Sequence, residues 1–213
     1  MKPFIALLLV AFIASGTVYS QEFNGKFLLS PTLSFNKGKT ESKYQDDTKD
    51  TRKSTGVRID VPVGWFITDN LAVGLSPGFS QANSKRIYDS TDEETKTKMS
   101  SFNLGLWARY YTSLSDRIFL HFTGQGEYGA GKTTQENPDM TRELKHSYYF
   151  IGLAPGLSYK ASESIYIDAT IGTLGYRSST EKDEDADSEL PEEKTNSFGF
   201  SFNSFSFGLT FMF

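Results

Sequence analysis

From Phe23 to Phe213 apolar and polar residues alternate with a period of two, the spacing of strands whose two faces meet different surroundings. Eight such runs follow one another. The first carries Phe23, Gly25, Phe27, Leu29, Pro31, Leu33 and Phe35 on one face, with Lys26, Ser30 and Thr32 on the other. The second sets Val57, Ile59, Val61, Val63 and Trp65 against Arg58 and Asp60. The third sets Leu71, Val73, Leu75 and Phe79 against Gly74, Ser76 and Gly78. The fourth sets Phe102, Leu104 and Leu106 against Gly105, Trp107 and Arg109. The fifth sets Ile118, Leu120, Phe122 and Tyr128 against His121, Thr123 and Glu127. The sixth sets Tyr149, Ile151, Leu153, Leu157 and Tyr159 against Tyr148, Gly152 and Gly156. The seventh sets Ile165, Ile167, Ala169 and Ile171 against Tyr166 and Asp168. The eighth ends in Phe205, Phe207, Leu209, Phe211 and Phe213.

The links between runs are of two kinds. Thr68-Asp69-Asn70, Ser113 to Asp116, and Ala161-Ser162-Glu163 read as tight hairpin turns. The others, Lys37 to Ser54, Asn83 to Lys98, Gly131 to Lys145 and Arg177 to Thr195, are long and charged, and are expected to be loops. Strict alternation of short and long links predicts an all-β, eight-stranded antiparallel up-and-down barrel, with both chain ends at the short-turn rim. Pro31, Pro77 and Pro155 fall inside runs, where a residue without an N–H is expected to mark a bulge. The phase of run eight changes from even (Phe198, Phe200) to odd (Phe205 onward), which predicts a bulge near Asn203.

Period alone does not say which face is inside. The polar face is mostly small, as a crowded eight-stranded lumen requires. The apolar face ends in rings at both rims: Phe23, Trp65, Tyr110, Tyr159 and Phe213 below, and Phe35, Phe79, Phe102, Tyr128, Tyr149 and Phe205 above. Two aromatic girdles around an aliphatic belt suit a bilayer, so the apolar face is expected to meet lipid. A soluble, lipocalin-like barrel is the rival, but its outer face would carry many more charges. Lys2 followed by the apolar run Phe4 to Ile13, with Val18 and Ser20 beyond it, reads as a signal peptide over 1–20, cleaved after Ser20. The run is too short to span a bilayer as a helix. The barrel domain then occupies 21–213.

Composition narrows the chemistry. With no cysteine among 213 residues, disulfides, thiolate metal sites and a lipoprotein anchor are excluded. A net charge of −4 with no basic nucleic-acid face argues against DNA or RNA as partner. Lys26, Arg58, Asp60, Arg109, His121, Glu127 and Asp168 have the inward parity and are expected to form a closed lumen network, since unpaired charges there are costly. His121, Thr123 and Glu127 supply the residue types of an acyl-ester hydrolase, but lipid lies outside the wall and these point inward. No catalytic site is assigned. The acidic run from Glu181 to Glu193 fails as a calcium loop: Ser188 stands where glycine is needed and Lys194 where the bidentate Glu should be. It reads as a solvated loop, and no metal or cofactor site is assigned.

The segments Gly74-Leu75-Ser76-Pro77-Gly78-Phe79 and Gly152-Leu153-Ala154-Pro155-Gly156-Leu157, echoed in Leu28 to Leu33, carry a resemblance. So does the terminal Phe205 to Phe213. In these the chain resembles the eight-stranded outer-membrane barrels of the OmpA and OmpX type, and especially those common in Bacteroidetes. The resemblance implies location in a Gram-negative outer membrane and contact with its lipid and lipopolysaccharide. It also implies insertion by the barrel-assembly machinery through a signal that includes Gly208, Phe211 and Phe213. No peptidoglycan-binding domain is expected after the barrel, a departure from full-length OmpA-type proteins. The expected role is non-enzymatic, structural or surface-interacting, with an external partner met through the long links. The alternatives are a narrow porin-like transport barrel and, third, a lipid A-modifying enzyme. Deleting Phe213 is expected to lower the amount of heat-modifiable folded protein in the outer membrane, measured by gel mobility with and without boiling; unchanged insertion would remove the terminal signal.

Overall fold

The computed structural model describes residues 23–43, 49–88, 93–138, 140–183 and 193–213. The predicted signal peptide at 1–20 and the acidic stretch at 184–192 lie outside the described residues. Ten strands follow in order: β1 (Phe27–Leu29), β2 (Thr32–Lys43), β3 (Lys49–Asp60), β4 (Val63–Phe66), β5 (Leu71–Tyr88), β6 (Glu93–Ser113), β7 (Ile118–Asn137), β8 (Met140–Lys160), β9 (Ile165–Asp183) and β10 (Glu193–Met212). All pair antiparallel. The pairings run β1–β4–β5–β6–β7–β8–β9–β10 and return to β1, so the sheet closes into a ring. Run one is β1 plus β2, and run two is β3 plus β4.

Proline explains the interruptions, though not always by a bulge. Ser30-Pro31 faces Val61-Pro62, and both strands break there; Leu29↔Val63 below and Thr32↔Asp60 above keep one register. The Ser30 N–H instead donates to the Pro62 carbonyl at 2.9 Å. Pro77 stays in the ladder opposite Leu104 with no slip, and its carbonyl accepts from the Val61 N–H at 2.9 Å. Thus the expected bulges at Pro31 and Pro77 do not form: opposed breaks in two strands cancel. At Pro155 the register does shift, between Leu153 and Gly156. The extra residue lies in the partner strand at Gly172, whose φ of 69° is open chiefly to glycine. Above Gly172 the outward parity of β9 changes, from Ile167 and Ile171 to Leu174 and Tyr176. β10 follows with a shift between Ser201 and Phe205, where the sequence predicts it.

Above Leu29↔Phe211 the first and last runs part. β2 pairs only with β3, and the upper half of β10 only with β9. Continuing the register would set Pro31 against Leu209, and proline has no N–H to donate there.

The long links are not loops. Their strands continue as paired hairpins to Lys43↔Lys49, Tyr88↔Glu93, Asn137↔Met140 and Glu181↔Glu193. β6 runs for 21 residues, about 70 Å of strand, whereas a tilted bilayer crossing takes about 9–11 residues. Alternating Thr, Ser and Lys keep the β period, and a ladder already in register extends at little entropic cost. Ion pairs brace the crown: Arg86 with Asp50 at 2.5 Å, Lys98 with Glu136 at 2.8 Å, Arg142 with Asp183 at 2.6 Å, and Lys85 and Lys96 with Glu94.

The outward face is apolar and exposed, as the alternation predicts: Leu33, Leu106, Ile151 and Phe207 are each more than 60% accessible. Phe23 is the exception. The expected lower girdle includes it, but it is only 3% exposed. A turn at Asn24-Gly25, with Gly25 at φ 78°, folds the chain under the barrel, and the Gly25 N–H donates to the Phe66 carbonyl at 3.0 Å. The Phe23 ring then stacks on Phe66 at 4.9 Å and meets Phe119, Tyr111 and Tyr166 within 6.1 Å. With Leu28 and Met212 these rings stop the lower end of the lumen. The side chain of Phe205 lies outside the described residues.

Glycines on the inward face leave room for the large inward rings. A Cβ on Gly74 would meet the Trp107 ring at 2.7 Å and collide with the Val63 carbonyl; Gly64 faces the same indole. Trp107 uses that niche to donate Nε1–H to the Leu75 carbonyl at 3.1 Å. Phe150 lies similarly over Gly152 and Gly175. Gly126, on the outward face, would meet nothing within 4 Å. Gly74→Val is therefore expected to abolish most heat-modifiable folded protein, and Gly126→Val to leave it close to wild type. Equal yields from both would show that the indole niche does not limit packing.

Candidate functional site

Described polar side chains converge in the lumen, which is built above the aromatic stopper as two polar tiers with a small cavity between them. In the first, Asp168 projects inward from β9. Its Oδ1 accepts from Ser158 at 2.6 Å; its Oδ2 accepts from Thr210 at 2.7 Å and from Arg109 Nη1 at 2.9 Å. Arg109 also donates Nε–H to the Thr123 hydroxyl at 2.8 Å and Nη1–H to the Tyr111 hydroxyl at 3.3 Å. Ser30 joins Thr210 at 2.5 Å, which ties the segment after β1 to β10 and so to the strands β6, β7, β8 and β9 around Asp168. Both partners of the ion pair are nearly buried, with side chains 15% and 9% exposed. At that burial every donor and acceptor needs a partner, because desolvation otherwise outweighs the Coulomb gain.

Above this lies a small cavity of about 60 Å³ between Arg109, Thr123, Gln125 and Glu127, with Ser30 and Pro62 at its side. It is the size of a few water molecules. The upper tier comes next. Arg58 grips Asp60 at 2.6 and 3.0 Å, and Asn103 donates to the same carboxylate at 3.3 Å. The Tyr148 hydroxyl donates to Glu127 at 2.5 Å, and Arg58 Nη2 lies 3.9 Å from the other oxygen of Glu127. The Arg177 guanidinium covers the Tyr148 ring at 4.4 Å and reaches Phe150 at 5.4 Å.

The structure therefore divides the seven residues of the expected network. Arg109 and Asp168 hold the lower tier; Arg58, Asp60 and Glu127 hold the upper. His121 is fully buried beside Tyr111, with ring centroids 5.7 Å apart, and neither imidazole nitrogen has a hydrogen-bond partner among the described residues. Lys26 keeps the inward parity opposite Phe66, but at the lower end of the ring: its ammonium lies 5.8 Å over the Phe23 ring of the stopper, apart from the two tiers. His121, Thr123 and Glu127 share a face of β7 but do not act together, since Thr123 is engaged by Arg109 and Glu127 by Tyr148 one tier higher. Ser30, Ser158 and Thr210 have the inward parity that marks Asp168, and that signal could have found them. Arg177 was hidden by the parity change at Gly172.

Outside the predicted span, the crown carboxylates are held ionised. Hydrogen bonds from Arg86, Lys85 and Lys98 keep Asp50, Glu94 and Glu136 respectively below their usual values. These braces persist below the ordinary carboxylate range and are lost only as pH falls through the lowered values. No group of three or more metal-ligating side chains occurs among the described residues.

At the C-terminus, Phe213 is exposed and ties its N–H to the Phe27 carbonyl at 2.9 Å, while Phe211 pairs with Leu29 and Ile165, and Gly208 with Asp168. This closing strand lies inside a match that runs over residues 4–213 to the outer membrane protein β-barrel domain family. The chain belongs to that family. It is accordingly a protein of the Gram-negative outer membrane. No curated protein matches the sequence. Among solved structures the barrel is similar to the outer membrane protease OmpT from Escherichia coli, at 12% identity and a TM-score of 0.50, covering 92% of this chain and 99% of that one. It also aligns with OprG from Pseudomonas aeruginosa (14% identity, 91% and 98% covered, TM-score 0.45). A third is Neisserial surface protein A (13%, 89% and 98%, 0.42). At such identities the likeness to OmpT is one of fold.

For this outer-membrane barrel, Asp168→Ala should cost about 3–5 kcal/mol, the range for leaving a buried charge, here Arg109, without its partner. Arg109→Leu combined with Asp168→Leu should cost less, since no charge is stranded. Urea titration in detergent micelles, read by boiling-dependent gel mobility, distinguishes the two; a larger loss in the double variant would refute the pairing argument.

Proposed function

We propose that the chain is an eight-stranded, membrane-spanning up-and-down barrel that passes no solute, performs no covalent chemistry, and presents its four hairpins to a partner outside the cell. The carrying observation is the filled lumen. An aromatic stopper closes the lower end, and the two polar tiers above it leave a cavity of only about 60 Å³ between them. The exposed Leu, Ile and Phe of the outer face favour lipid around the wall, and eight runs fit the ring, with β1–β2 and β3–β4 counted as one crossing each. Against catalysis, Thr123 and Glu127 are each held by another side chain, and His121 is sealed from both solvent and lipid. The paired hairpins continue well above the upper ring of aromatics and offer Ser, Thr, Lys and Glu to the outside.

Reconstituted in planar bilayers, the purified barrel should show no stepwise conductance above the lipid background; reproducible unit steps would favour the narrow transport barrel instead. Protease added to intact cells should cut only within the four long hairpins. Cleavage at Asp69 or Ser115 with the hairpins intact would turn the barrel over.

A further inference from the structure

Three prolines fall at one level of three neighbouring runs. Leu29↔Val63 and Thr32↔Asp60 set Ser30 opposite Pro62 and Pro31 opposite Val61. Asp60↔Gly78 and Val63↔Leu75 set Val61 opposite Pro77. In an antiparallel ladder each hydrogen-bonded pair exchanges two bonds. Here half of each exchange is missing. Ser30 donates to Pro62 and Val61 donates to Pro77, and neither proline has an N–H to return. Phe27 and Phe213 exchange both bonds, so by alternation Leu29, Pro31, Leu33 and Phe35 are the residues whose N–H and C=O face β10. Pro31 therefore takes a third donor from the same level, on the seam itself. The cavity of about 60 Å³ has Ser30 and Pro62 in its wall, which leaves the chain room to bend along this line.

Below the line Ser30 and Thr210 join the two walls. Above it the β2–β3 hairpin keeps its ladder to β5, but β2 has no strand on its other side among the described residues. Every residue from Pro31 to Ser42 is exposed, whichever way it faces. Elsewhere on the wall, lumen-facing Asn103 and Thr133 are buried. The parted seam also uncovers the upper polar tier from the side, and the lumen-facing Arg58 side chain is 43% exposed. In water such an edge costs little. Phe35 belongs to the upper girdle, however, so Leu33 and Phe35 lie within the span, where a strand edge left to lipid is not tolerated. The register that satisfies them is already set. Continued past Leu29↔Phe211, it brings Leu33 opposite Phe207 and Phe35 opposite Phe205, with Ser34 meeting Ser206 on the lumen side. Gly208, opposite Thr32 in that register, has open space before it.

We propose that the β2–β3 hairpin is a flap hinged on this line of prolines. In the bilayer it zips onto β10 as far as Phe35, and it parts from β10 to open the upper tier toward the outer leaflet. The aromatic stopper and the lower tier stay shut in both states, so the flap gives access to the upper tier and no passage through the barrel. The inference rests on the membrane-spanning reading. The chain has no cysteine, so a Ser34→Cys, Ser206→Cys variant can form one internal disulfide, and the closed flap makes these two a directly opposed pair within bridging reach. In phosphatidylcholine vesicles, mild oxidation should bridge most of the folded protein, read as loss of thiol alkylation in mass spectrometry. Spin labels on a Thr40→Cys, Thr195→Cys variant, at the crown ends of the two edges, should show a short and a long distance in the same vesicles. Adding Pro31→Ala, Pro62→Ala and Pro77→Ala, which returns the three N–H groups, should remove most of the long one; Pro31→Ala alone gives the same reading if the triple variant does not fold. Absence of the bridge, a single distance, or a long distance undiminished without the prolines would each overturn the flap. Flotation of the same vesicles tests the premise separately: a chain that does not float refutes the membrane-spanning reading, and one that floats without bridging refutes only the flap.

Discussion

A backbone amide or carbonyl surrounded by hydrocarbon has no water to bond, so a sheet in a membrane must pair its strands with one another all the way round. That requirement decides most of this protein's architecture, with one exception: above Leu29↔Phe211 the seam between β2 and β10 is left unpaired where Pro31 would have to donate. Closure of β1 on β10 forces two faces of opposite character, and the period of two then assigns each residue to lipid or lumen. A small ring leaves an interior barely wider than its own side chains. Some large inward rings fit because a neighbour lacks a Cβ, as with Trp107 over Gly64 and Gly74. Polar residues that enter the same space must satisfy one another, because nothing else is there to do it.

The interior consequently carries stability and closure together. Asp168 uses both carboxylate oxygens on three partners from three strands, and Arg109 spans from β6 to β7 and β9. Such a node fixes register as well as energy: slipping either strand by one residue would turn a charge to the lipid side. The aromatic stopper works by area in place of charge, with Phe23 drawn in from the chain's entry to fill the space that the strands leave open.

Parity was legible in the sequence, and with it the outward belt, the inward charges and the bulge between Ser201 and Phe205. Features that depend on departures from regular strand were not. Phe23 has the alternation of run one, and only the left-handed turn at Gly25 removes it. Gly172 reads as one more small lumen residue, yet its positive φ reverses the parity of all that lies above it on β9, including Arg177. Charged, Thr-rich links look like loops by composition. They are strands because a ladder below has already paid the entropy of nucleation, which no local propensity records. Of the site, the ionised members could be anticipated; the hydroxyls that complete the shell of Asp168 could not be ranked, since serine and threonine suit any inward position.

The sorting of lysine from arginine follows from the two surroundings. In the lumen a cation must direct several donors at fixed angles onto carboxylates and rings, and the guanidinium of Arg58 or Arg109 does so with little loss of freedom. On the outer face no such fixed set of acceptors is presented, and a strongly hydrated ammonium on a flexible stem loses nothing by that. The hairpins therefore extend the barrel's inside–outside distinction beyond the hydrocarbon, where no backbone rule demands it. Asp50 and Asp183 are turned inward to Arg86 and Arg142, while Glu94 and Glu136 remain outward among lysines. The crown thus keeps one face for pairs held at fixed geometry and the other for solvated charge, the same division that the wall below makes between lumen and outer face.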